Sequence, residues 1–240
     1  MSRALAALAA LALLAGCGGG EEGNEQPVVF AASSLGEAAP AVDPGAKIVL
    51  GGSNDLAAQI RDGARADVIL SASPKPLADL QADGLVEGPV AFASNRLVVV
   101  VPRSNPGKVT HFADLARDGV KLVLGAEGVP VGDYAREALE LAGLGAALDN
   151  VVSLEDDVKG VVGKVALGEA DAGVVYATDV AAAGDDLRSY RISDYFQPEI
   201  AYYAALVSPG SEQGRDYLER LLGGEGQAAL RTAGFRPAPS

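Results

Sequence analysis

Two stretches decide the fold: Arg96-Leu97-Val98-Val99-Val100-Val101-Pro102 and Ile200-Ala201-Tyr202-Tyr203-Ala204-Ala205-Leu206-Val207. Each is a run of apolar residues rich in β-branched or aromatic side chains, which suits a buried strand. Each ends at a breaker, Pro102 in the first case and Ser208-Pro209-Gly210 in the second. A block of chain inserted between two such strands predicts two lobes joined by a two-strand hinge, with a ligand cleft between them. The expected division is 28–101 with 202–240 for the first lobe and 102–201 for the second.

Outward from these strands, short apolar runs alternate with helical patterns. Further strands are expected at 28–30, 47–50, 67–70, 121–124, 151–152 and 173–175. Helices are expected at about 54–62, 75–82, 111–117, 133–142, 157–167 and 212–222. Strands alternating with helices imply βαβ units, hence an α/β fold of mainly parallel sheets flanked by helices. The C-terminal helices, about 211–233, are expected to return to the first lobe.

Bulk properties exclude several function classes. The formal charge of −13 opposes a nucleic-acid partner, whose phosphates demand stripes of Lys and Arg. It also means that a bound anion must be held by local dipoles and not by the net field. One Cys and one His rule out a disulfide within the chain and a Cys/His zinc site. His111 follows Thr110, which reads as an N-cap, and is expected as an exposed first-turn residue. No nucleophile elbow, P-loop or dinucleotide fingerprint is present, so neither an enzyme nor a cofactor is expected.

The N-terminus, MSRALAALAALALLAGC, has Arg3 followed by the apolar stretch Ala4 to Ala15. That stretch is short for a bilayer span and suits a signal peptide. Leu14-Ala15-Gly16-Cys17 resembles a bacterial lipobox, so residues 1–17 are expected as a lipoprotein signal with Cys17 as the acylated residue. Residues 18–27, GGGEEGNEQP, read as a flexible tether. The expected location is the extracytoplasmic face of the cell membrane, held by lipid.

Four segments at strand-to-helix junctions could supply donors to a small anion. In Phe30-Ala31-Ala32-Ser33-Ser34-Leu35, Ser33 or Ser34 occupies an N-cap position and either caps its own helix or faces a ligand. Gly51-Gly52-Ser53-Asn54-Asp55 offers the same choice at Ser53. In Val129-Pro130-Val131-Gly132-Asp133-Tyr134, the helix after Pro130 exposes unpaired N–H groups near Val131. The fourth segment runs from Glu155-Asp156-Asp157-Val158-Lys159-Gly160 to Gly173-Val174-Val175-Tyr176. There Val158 can offer its N–H and Tyr176 its hydroxyl. Tyr176 can equally be a packing residue.

These blocks, in this order, resemble the periplasmic molybdate-binding proteins of the ModA type. Further similarity lies in Leu56-Ala57-Ala58-Gln59-Ile60, Gly63-Ala64-Arg65-Ala66-Asp67-Val68, Asn95-Arg96-Leu97 and Ala233-Gly234-Phe235. The resemblance implies a two-lobed periplasmic-binding-protein fold of type II. It implies a monomer that captures molybdate or tungstate and hands it to the permease of an ABC transporter. By motif, the oxyanion-binding positions are Ser34 and Ser53, the amides of Val131 and Val158, and the hydroxyl of Tyr176. Between Ser34 and Lys47 the chain is shorter than the usual pattern, and Pro40 and Pro44 cut the first helix to about two turns. Ser33 therefore stands beside Ser34 as a second candidate. The rival expectations are a site for another tetrahedral oxyanion such as sulfate, and a lipid-anchored surface protein without a transport role.

Overall fold

The computed structural model describes residues 26–239. Cys17, the leader expected before it and most of the tether expected after it lie outside the described residues. Two five-stranded sheets form the framework. The first takes β1 (Val28–Ala32), β2 (Lys47–Gly51), β3 (Val68–Ser71), β4 (Val86–Ser94) and β10 (Ala201–Val207), in the order β2-β1-β3-β10-β4. The second takes β5 (Leu97–Pro102), β6 (Leu122–Gly125), β7 (Val151–Glu155), β8 (Ala172–Tyr176) and β9 (Leu187–Arg191), in the order β7-β6-β8-β5-β9.

Each sheet has a parallel core of three strands, as the strand–helix alternation predicts. β1 pairs in parallel with β2 and β3, and β6 does so with β7 and β8. β10 runs antiparallel to β3 and β4, and β5 antiparallel to β8 and β9, so both sheets are mixed. Among the described residues the eight α-helices are α1 (Ala38–Val42), α2 (Ser53–Arg61), α3 (Lys75–Ala82), α4 (Pro130–Leu141), α5 (Val158–Ala166), α6 (Ala177–Ala183), α7 (Glu212–Leu222) and α8 (Gly224–Thr232).

The expected lobe boundary needs correction. The stretch 96–101 does not close the first sheet. All six residues of β5 are buried, and the strand sits between β8 and β9 in the second sheet. Its uninterrupted apolar run follows from being covered on both faces. The first crossing between the sheets is therefore at Asn95-Arg96, between β4 and β5, and the return lies between β9 and β10. The two crossings are stapled together. Gln197 Oε1 accepts the Leu97 N–H at 2.8 Å, Gln197 Nε2 donates to the Leu97 carbonyl at 2.8 Å, and Arg96 pairs with Asp194 at 2.9 Å.

The chain ends on the first sheet. Ser94 and Arg236 form an antiparallel bridge, and the Tyr217 hydroxyl of α7 donates to the Ala39 carbonyl at 3.0 Å. α1 is a five-residue helix preceded by a 3-10 turn, Ser33–Leu35. Pro40 is tolerated because it falls in the first turn, where its missing N–H has no helical partner. The helix stops at Val42 because Asp43 precedes Pro44 and is driven to extended backbone, with φ −146° and ψ 102°. At 111–117 the chain forms a 3-10 turn, Phe112–Ala116, with His111 at its N-cap. Asp114 accepts the backbone N–H groups of Thr110 and His111 there.

Candidate functional site

The loops at the C-terminal ends of β1, β2, β6 and β7 meet between the two sheets. They enclose a small cavity of about 20 Å³. Its lining takes Ala32, Ser33 and Ser34 from the end of β1, Gly51, Gly52 and Ser53 from the start of α2, and Ala72 from the end of β3. From the other sheet it takes Val129, Pro130 and Val131 at the start of α4, Asp157 and Val158 at the start of α5, and Tyr176 at the end of β8. Thus Ser34, Ser53, Val131, Val158 and Tyr176 are brought together, and Ser33 lies with them.

The serines do not cap their own helices. The N-cap of the 3-10 turn is Ala32 and that of α2 is Gly52, and neither end has a side-chain cap. Ser53 Oγ instead accepts the Ala72 N–H at 3.1 Å. That bond uses a lone pair and leaves the hydroxyl proton free to donate elsewhere. Ser34 Oγ lies 2.9 Å from Tyr202 Oη. Tyr176 is 1% exposed, and its hydroxyl has no hydrogen-bond partner. Burial, helped by the neighbouring Tyr202, pushes its pKa well above the ordinary tyrosine value, so it stays a protonated donor. An orphaned buried hydroxyl is costly, and a ligand acceptor would relieve it.

Backbone donors complete the set. Val131 and Val158 lie in the first turns of α4 and α5, where N–H groups have no intrahelical partner. α4 is pinned at this end by Arg136, which donates to the carbonyls of Gly125 and Gly132 at 2.9 Å each. Gly132 carries no side chain because a Cβ there would collide with the carbonyls of Gly125 and Ala126. The starts of α2, α4 and α5 all border the cavity, and each contributes a partial positive charge of roughly half a unit. No Lys or Arg lines it. Asp157 borders it, but its Oδ1 accepts the Gly160 N–H at 2.8 Å, so that carboxylate is committed to its own helix.

A larger cavity, of about 600 Å³, adjoins this one at Ser34 and is lined by Glu37, Lys159, Thr178, Thr232 and Phe235 among others. It lies beside the short α1. Size does not make it the better candidate for an anion, because it presents the Glu37 carboxylate. The small cavity is an order of magnitude below the roughly 300–1,000 Å³ of a pocket for drug-sized ligands. It admits a solute of a few atoms.

The two sides touch around it. The Asn54 side-chain amide donates to the Gly128 carbonyl, and the Cα of Gly52 packs against the Asp156 carbonyl. Among the described residues, no group of three or more His, Cys, Asp or Glu side chains could hold a metal ion. No described helix is long and apolar enough to cross a membrane.

Sequence reading missed Ala72, although Ser71-Ala72-Ser73-Pro74 is another junction of small residues leading from a strand into a helix. It also missed Tyr202, whose place behind Ser34 depends on which strands β10 pairs with.

The family model for bacterial extracellular solute-binding proteins matches residues 28–236. The chain belongs to that family. This solute-binding protein is 33% identical over 229 residues to the molybdate-binding protein ModA of Mycobacterium tuberculosis, covering 90% of this chain and 87% of that one. It is also 33% identical over 192 residues to a candidate ABC-transporter substrate-binding lipoprotein of Bacillus subtilis, YvgL, covering 73% and 74% of the two chains. Among solved structures it matches the periplasmic molybdate-binding protein of Azotobacter vinelandii. The TM-score is 0.78 at 20% identity, over 90% of this chain and 100% of the other, a likeness of fold.

Proposed function

We propose that this solute-binding protein captures molybdate, or the similarly shaped tungstate, between its lobes and delivers it to the permease of an ABC transporter. The observation that carries this reading is the small cavity bordered by hydroxyl and backbone donors from both lobes, with no cationic side chain. Such a set suits a tetrahedral dianion without a proton, which needs donors alone. In this reading Ser34, Ser53 and Tyr176 donate through hydroxyls and Val131 and Val158 through N–H groups, with Ser33 beside Ser34. The names of the relatives support molybdate as the ligand.

The protein acts without turnover and needs no cofactor. Cys17 carries the lipid that holds it at the extracytoplasmic face of the membrane, and the name of the Bacillus relative, a lipoprotein, supports the anchor; the protein acts as a monomer. The two lobes divide at Asn95-Arg96 and between β9 and β10.

The test is a calorimetric competition of the soluble fragment with molybdate, tungstate, sulfate and phosphate, in metal-free buffer. Stoichiometric uptake of molybdate in preference to sulfate and phosphate is expected. Preference for sulfate would reassign the ligand, and uptake of none of them would overturn the reading. Cys17→Ser should move the protein from the membrane to the soluble fraction with ligand affinity unchanged. A variant that stays membrane-bound would refute the anchor.

A further inference from the structure

Tyr202 stands behind the candidate cavity and is not among the residues that line it. It is fully buried in β10, with its hydroxyl 2.9 Å from Ser34 Oγ. Burial pushes the pKa of this hydroxyl well above the ordinary tyrosine value, and the neighbouring Ser34 and Asn95 side chains oppose the rise. Asn95 is itself buried, at the first crossing between the sheets. Its Oδ1 accepts the Arg96 N–H at 2.9 Å and its Nδ2 donates to Thr178 Oγ1 at 3.0 Å. The second Nδ2 proton can be given to the Tyr202 hydroxyl. Edge contacts with Tyr176, Phe92 and Phe235, at ring separations of 5.7, 6.2 and 5.1 Å, fix the ring.

The direction of these bonds is set by proton count. Tyr202 Oη has one proton to give. Ser34 has one proton too. Where the Ser34 proton points to the cavity, its oxygen must accept from Tyr202; where it points to Tyr202, the cavity faces a lone pair.

We propose that Tyr202 is a positioning residue: Asn95 donates to Tyr202, Tyr202 donates to Ser34, and Ser34 is thereby committed to donate into the cavity. The inference rests on the reading of that cavity as an oxyanion site. It deepens that reading by assigning selectivity. A fully deprotonated oxyanion meets a donor held in place, whereas hydrogen phosphate, which brings a proton of its own, meets no rotatable acceptor at Ser34. Tyr202 works through Ser34 and needs no contact with the ligand.

The test is a double-mutant cycle of Tyr202→Phe and Ser34→Ala, with molybdate and inorganic phosphate titrated into the purified soluble protein at neutral pH. Tyr202→Phe should bind molybdate about tenfold more weakly, the loss of one directed hydrogen bond. In the Ser34→Ala background it should cause no further loss. The ratio of phosphate to molybdate affinity should rise in Tyr202→Phe, because the freed Ser34 hydroxyl can then accept. A purely structural role would not produce that shift.

Wild-type molybdate affinity in Tyr202→Phe, or losses that multiply in the double variant, would overturn the proposal. Should Tyr202→Phe fail to fold by circular dichroism, Asn95→Ala replaces it in the same cycle, and wild-type affinity there overturns the proposal equally. If the wild-type protein binds no molybdate, the function falls first. If the wild type binds and Tyr202→Phe binds as well, the positioning role alone falls.

Discussion

Gly52 and Asp156 face each other across the cleft so closely that a Cβ on Gly52 would lie 2.5 Å from the Asp156 carbonyl oxygen. One residue caps α2 on the first lobe, and the other leads into α5 on the second. Gly52 has φ −62° and ψ 138°, a backbone open to any residue, so its glycine serves space and not conformation.

Gly52→Ala should therefore leave the unliganded fold intact and oppose closure of the lobes. Affinity should fall by about tenfold or more, because over-packing of this kind costs ~1–3 kcal/mol. Calorimetry and small-angle scattering with and without molybdate check this; unchanged affinity with normal compaction would refute it.

Ser53→Ala removes a proposed donor to the ligand and also the acceptor of the buried Ala72 N–H. Affinity should drop by about 1–3 kcal/mol, and the unliganded protein should lose ~1–3 kcal/mol of stability. Denaturant melts beside titrations would reveal the double effect.

Tyr176→Phe should separate the two quantities. Its hydroxyl is buried without a partner, so its removal should leave the unliganded protein as stable or up to about 1 kcal/mol more stable. Molybdate affinity should nevertheless fall severalfold. A loss of stability without loss of affinity would mean the hydroxyl faces protein and not ligand.

Asp179 gives a pH signature. It is 1% exposed in the first turn of α6, and burial raises its pKa to about 6 despite Lys159 Nζ at 3.3 Å. A carboxyl whose pKa is raised on folding stabilises the fold most when protonated. Its contribution is full below about pH 4 and is lost as pH rises through 6. A rise of about two units corresponds to roughly 3 kcal/mol. Asp179→Asn should lack this dependence, so its stability relative to wild type should climb between pH 4 and pH 7. Parallel denaturant curves that keep a constant gap would refute the assignment.

The parts of this molecule legible in its sequence were those set by local pattern. The Val98–Val101 run announced a buried strand, and Pro40 and Pro44 announced a short first helix. β4 escaped because Gly88 and Pro89 break its apolar pattern, which a strand at the sheet edge tolerates. β9, Leu187–Arg191, escaped because only its first residue is fully buried. The junction residues were legible as helix starts, since Ser, Gly and Pro declare themselves there. That they converge on one cavity was not, because convergence depends on sheet order. Tyr202 was illegible for the same reason: the apolar run marks it as a strand residue, and only the pairing of β10 with β3 and β4 sets it against Ser34.

The crossings also fix an order of assembly. All five strands of the second sheet lie within Leu97–Arg191, so that lobe can pair as soon as this one stretch has emerged during synthesis or export. The first sheet cannot. β10 lies between β3 and β4, and until Ala201–Val207 arrives β3 and β4 have no strand to join them. The lobe encoded first is thus completed last, and the Ser34 side of the cleft takes shape only when the end of the chain brings Tyr202 to it.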